Sequence, residues 1–124
     1  MKNYELRGLP TFRITNYEKA VEFYVGLLSF TLDWEHRFSP TEPVYMQVSK
    51  KNLILHLSEN KRFKTGAVVF VETIGIENFR NELLQNKSGT ILPKILKTPW
   101  QTLQMEMDDP FGNLLRLNDN TKSD

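Results

Sequence analysis

Apolar and polar positions alternate along several short stretches of the chain, and each such stretch predicts a half-buried strand. From Leu9 to Thr15, Phe12 and Ile14 fall on one side, Arg13 and Thr15 on the other. Strands follow over about Thr31–Phe38, Val44–Ser49 and Leu53–Ser58. The first two are divided by a loop holding Pro40 and Pro43, the last two by Lys50-Lys51-Asn52. Between the first strand and the second, Ala20, Val21, Tyr24, Leu27 and Leu28 recur at helical spacing. That helix runs from about Tyr17 to Leu28. Asn16 is its cap, Glu18 complements its positive end, and Gly26 weakens its last turn.

The order then repeats. Ala67–Glu72 reads as a strand. Ile76–Gln85 reads as a helix with Phe79, Leu83 and Leu84 inward, stopped by Asn86-Lys87-Ser88-Gly89. Ile91–Lys97 is a strand interrupted by Pro93, and Thr102–Asp108 with Asn113–Asn118 makes a hairpin. The predicted class is α+β, with two βαβββ modules forming a cleft. The alternative is another two-layer α+β sandwich. The expected division is one domain over 1–124: a first module over about 1–63, a second over about 64–119, and a polar, frayed tail over 120–124. His56 and Arg116 take matching places in the two final hairpins, each flanked by leucines that face the other way.

Composition narrows the function classes. With 16 basic and 15 acidic residues the net charge is +1, so no field draws nucleic acid or an acidic membrane. Cysteine is absent, which removes disulfides and thiolate chemistry. No apolar run approaches a membrane span and the first residues lack the apolar core of a signal peptide, so a cytoplasmic protein is expected. The two histidines, His36 and His56, have no serine or aspartate at a spacing that suggests a triad, and no phosphate-cradling glycine loop occurs. Catalytic residues are therefore not assigned.

The run Asn16-Tyr17-Glu18-Lys19-Ala20-Val21-Glu22-Phe23-Tyr24 with Leu27-Leu28-Ser29-Phe30, and the turn Asp109-Pro110-Phe111-Gly112-Asn113, resemble the vicinal oxygen chelate superfamily. Its members include glyoxalase I, extradiol dioxygenases and bleomycin resistance proteins. Pro99-Trp100 before the last hairpin, then Leu115-Arg116-Leu117, look most like the bleomycin resistance branch. The resemblance implies paired βαβββ modules and a homodimer, often with exchanged N-terminal strands. It also implies ligand crevices at the interface.

Metal-dependent members place His, Glu or Gln at four strand positions. Here these fall near Leu9 (or Thr11), at His56, near Ala67 and at Arg116. One imidazole beside a guanidinium does not make a divalent-metal site, so no metal and no cofactor are expected. The resemblance implies instead a binder that sequesters a planar or glycopeptide antibiotic such as bleomycin without changing it. Trp34, Phe38 and Trp100 match aromatics that clamp the drug's planar tail. Tyr45, His56, Met105 and Arg116 would line the cleft by strand alternation. Three have a plainer reading: Trp34 as core or interface, His56 as a hydrogen-bonded residue without a ligand, Arg116 as a partner of a nearby carboxylate such as Glu106. Bleomycin is cationic, and a chain without net negative charge captures it less strongly by charge. The rival functions are a metal-dependent lyase or dioxygenase of the same superfamily, and a regulatory or structural dimer with a vestigial cleft.

Overall fold

A computed structural model describes residues 2–86 and 91–121. The expected helix stop at Gly89 and the last three residues of the tail lie outside the described residues. Strand β1 (Thr11–Arg13) is followed by helix α1 (Tyr17–Val21), then by β2 (Thr31–His36), β3 (Tyr45–Lys50) and β4 (Leu53–Ser58). Strand β5 (Val68–Glu72), helix α2 (Ile76–Leu84), β6 (Leu96–Lys97), β7 (Leu103–Asp108) and β8 (Leu114–Asp119) repeat that order. Each half makes a four-stranded sheet, and the two orders correspond: β1-β4-β3-β2 and β5-β8-β7-β6. In each, the first strand pairs parallel with the last and the others pair antiparallel. The protein is therefore α+β and built of two βαβββ modules. Among the described residues no helix is long and apolar enough to cross a membrane.

Period-two alternation decides which side of each sheet is buried. Phe12, Met46, Val48, Leu55 and Leu57 of the first sheet are buried with Met105, Met107, Leu115 and Leu117 of the second. These residues join Ala20, Tyr24, Leu27 and Leu28 from the first helical segment and Ile76 and Leu83 from α2 in one core. The other face of each sheet is open.

Several expected elements differ in extent. Asn16 caps α1 as predicted, its Oδ1 accepting from the Lys19 amide at 2.9 Å. The α-helix then widens into a π-helical segment, Glu22–Leu27. The Leu28 amide donates to the Phe23 carbonyl, five residues back. A wider turn is tolerated next to Gly26, and within it Tyr24 is fully buried. In α2, Leu84 is 56 % exposed rather than inward; Ile76 and Leu83 carry the burial. Strand β6 shrinks to two residues, because Pro93 cannot join a ladder. Helix α2 has Gly75 as its cap residue, which offers no side chain. Asp119 supplies it from β8 instead, accepting from the Gly75 and Ile76 amides at 2.8 and 3.0 Å. Burial raises the Asp119 carboxyl, but these bonds and those from Thr121 outweigh it and hold the group below its ordinary value.

The two modules are tied by a polar knot at the last turn. Asp109 is 6 % exposed. It accepts from the Tyr24 hydroxyl at 2.7 Å, the Phe111 and Asn113 amides at 2.8 Å, and the Asn113 side chain at 2.9 Å. Asn113 also donates to the Arg13 carbonyl at 2.8 Å and accepts from the Gly66 and Ala67 amides. Burial, then the charge and hydrogen bond of Asp109, push the Tyr24 phenol far above its ordinary value, so it stays protonated. Gly112 closes the turn at φ 87°, a conformation that favours glycine.

Candidate functional site

The open face of the first sheet carries a cluster of rings. Trp34 and Tyr45 lie nearly parallel (13°) with centroids 6.0 Å apart. His56 stands edge-on to both, at 5.4 and 5.2 Å. A break in register builds this arrangement. Leu32 pairs with Val48, yet Trp34 pairs with the next residue along, Gln47. The extra residue at Asp33 is a bulge. In a regular strand Leu32 and Trp34 would share a face. Here Leu32 packs on the core while Trp34 turns outward, 44 % exposed.

Tyr45 and His56 also belong to a hydrogen-bonded chain that crosses all four strands. Thr11 Oγ1 and the Tyr45 hydroxyl are 3.2 Å apart, and that hydroxyl is 2.8 Å from His56 Nδ1. His56 Nε2 lies 3.0 Å from Gln47 Oε1, and Gln47 Nε2 donates to Asp33 Oδ2 at 3.1 Å. The Asp33 carboxylate can only accept, which orients every other member. Gln47 turns its NH₂ to Asp33 and its oxygen to His56, so His56 carries its proton on Nε2. Nδ1 then accepts from Tyr45, and Tyr45 accepts from Thr11. Burial lowers the His56 pKa from 6.5, so the ring is neutral at neutral pH.

This has a pH consequence. A histidine held below its unfolded value takes up fewer protons folded than unfolded, so stability falls as pH drops through about 6.5. The expected result is a urea midpoint that declines from pH 7.5 towards pH 5 by more in the natural protein than in His56→Gln. Nitrogen NMR at pH 7.5 should show the His56 proton on Nε2.

Beside the rings is an open cavity of about 400 Å³. Trp34, His36, Phe38 and Tyr45 line it with Glu42 and Ser58. Three of the expected ligand residues thus come together here, and His56 stands edge-on to two of them, Trp34 and Tyr45. The other three do not. Met105 is only 1 % exposed and belongs to the core. Alternation on β7 turns it inward, and Glu106 takes the open face. Arg116 faces outward on the second sheet, and its Nε donates to Glu106 at 2.8 Å. Trp100, 65 % exposed, stands on the Thr98–Thr102 turn and does not line the cavity. Gln47 and Asp33 join the site through cross-strand register, which alternation along the sequence does not give.

Register also fixes the four corresponding face positions. Thr11 is opposite His56 on β4, and Phe70 is opposite Arg116 on β8. The third position is therefore Phe70 rather than a residue near Ala67. Hydroxyl, imidazole, phenyl and guanidinium do not form a divalent-cation donor set. Both nitrogens of His56 are already engaged. Among the described residues no three His, Asp or Glu side chains are grouped to hold a metal ion.

A family of glyoxalase superfamily proteins matches residues 4–124, and the chain belongs to that superfamily. No curated protein sequence matches it. Among solved structures it is similar to a bleomycin resistance determinant encoded on the transposon Tn5 (15 % identity, 95 % of this chain and 100 % of that one, TM-score 0.71). It is also similar to the bleomycin-binding protein of bleomycin-producing Streptomyces verticillus complexed with copper(II)-bleomycin (19 % identity, 94 % and 97 % covered, TM-score 0.67). A superfamily member from Sphaerobacter thermophilus DSM 20745 is comparable (19 % identity, 93 % and 98 % covered, TM-score 0.66). At these identities the likeness is one of fold.

Proposed function

We propose that this protein is a metal-free binder that holds a planar or glycopeptide antibiotic without changing it. The observation that carries this reading is the Trp34–Tyr45–His56 ring cluster beside an open cavity. Flat rings bury large area against a planar heteroaromatic, and each stacked pair adds roughly 0.5–1.5 kcal/mol. Within the cluster, His56 has both nitrogens engaged, Nδ1 with Tyr45 and Nε2 with Gln47, and so holds Tyr45 in place. The fold it shares with bleomycin-binding proteins supports the same reading.

The protein would act as a homodimer. On the second sheet, Val68 and Phe70 are more than half exposed beside the Arg116–Glu106 pair. An apolar face of that kind is suited to covering the ring-bearing face of a second copy and closing the ligand crevice. Sedimentation equilibrium is expected to give twice the chain mass of 14.5 kDa; a monomer would remove the interface crevice.

Bleomycin added to the protein should quench tryptophan fluorescence saturably, and the drug should be recovered chemically intact. Absence of a signal at high micromolar drug would remove bleomycin as the ligand. Stoichiometric nickel, zinc, iron or manganese retained after dialysis would favour the lyase or dioxygenase alternative.

A further inference from the structure

We propose that the cavity at the end of the first sheet takes a methylated ammonium group, tertiary or quaternary, carried by the ligand. This rests on reading that face as a ligand site, and adds the chemistry of the group that enters it.

The ring planes differ in direction. Trp34 and Tyr45 are nearly parallel, whereas Phe38 meets His36 at 85° with centroids 4.7 Å apart. Parallel faces alone suit a flat ligand. Crossed rings present π faces in more than one direction, which suits a rounded cation. Phe38 is 86 % exposed, so its ring is available to a ligand.

Charge points the same way. Glu42 is the one carboxylate lining the cavity, and no lysine or arginine lines it. Among the described residues the Glu42 carboxylate makes no ion pair. The neighbouring guanidinium, Arg37, does not pair with that carboxylate. It donates to the Glu42 carbonyl at 2.8 Å and pairs with Glu59 at 3.3 Å. The cavity therefore has a local negative charge although the whole chain carries +1. Pro43 and Val44 add apolar wall for methyl groups. A primary ammonium is strongly hydrated and needs several acceptors; besides Glu42 the wall offers Ser58, Asn60 and Tyr45, whose oxygens are already bonded to the Asn60 amide, the Arg62 amide and His56. A methylated ammonium loses little water on entering and is attracted by the rings and by Glu42.

The test compares choline with its neutral isostere 3,3-dimethyl-1-butanol at constant ionic strength. The chain has two tryptophans, and the Trp34 indole N–H signal is identified in nitrogen–proton spectra by its loss in Trp34→Phe. Choline should shift that signal saturably and bind about tenfold more tightly than the isostere. Glu42→Gln should erase most of that difference and leave the isostere unchanged. Equal binding of the two compounds, or a Glu42→Gln variant that still prefers choline tenfold, would overturn the proposal. A third probe, neutral quinoxaline, separates the two readings. Should quinoxaline shift Trp34 while choline does not, the ammonium proposal falls and the planar-ligand reading stands. If neither does, both fall.

Discussion

Asp109→Ala is expected to lower the unfolding free energy by about 3–5 kcal/mol, because it leaves several buried donors without an acceptor at about 1–3 kcal/mol each. The substitution strips the acceptor from the Tyr24 hydroxyl and from two turn amides, all at 2.7–2.8 Å. Tyr24 is fully buried, so its hydroxyl cannot turn to water. An unsatisfied buried donor alone costs about 1–3 kcal/mol. Tyr24→Phe removes one donor and keeps the turn, so its cost should be smaller, at about 1–3 kcal/mol. Urea denaturation of both variants checks the order. If Asp109→Ala proves no worse than Tyr24→Phe, the knot does not join the modules as described.

Trp34→Ala is expected to weaken ligand binding by about 10- to 100-fold, as for truncation of a central aromatic anchor. Its effect on stability should stay below about 2 kcal/mol, because nearly half the side chain is already exposed. Calorimetric titration and urea denaturation read the two effects separately. Loss of stability without loss of affinity would mean that Trp34 is structural. Trp100→Ala is the comparison, since the turn at Thr98–Thr102 keeps that indole apart from the ring cluster within one chain. An affinity loss in Trp100→Ala as well would put that indole in the crevice that the second copy closes.

The sequence pattern made the sheet residues legible because alternation is local. Leu55 and Leu57 inward with His56 outward needs only three neighbours, and so does Leu115, Arg116 and Leu117. Alternation also gives Glu106 rather than Met105 the outward position, once the phase of β7 is set by its register with β8. What stayed hidden depends on long-range partners or on breaks in register. The Asp-Pro-Phe-Gly-Asn run announces a turn. That its aspartate holds a tyrosine 85 residues earlier in the chain is not written locally. The bulge at Asp33 leaves no period of its own, yet it sends Trp34 to the open face. The π-helical segment has Gly26 as its one local hint. Its spacing follows from how Tyr24, Leu27 and Leu28 are buried, which is a property of the assembled core.

The central claim is that the ring-bearing face of the first sheet binds a ligand without metal and without chemistry. It is tested most directly by titrating chelator-treated protein with bleomycin in a calorimeter, then analysing the recovered drug by mass spectrometry. The expected result is saturable binding that survives removal of metal, is weakened in Trp34→Ala, and returns the drug at its original mass. Binding that appears only after a divalent metal is restored, or a drug recovered with altered mass, would contradict it.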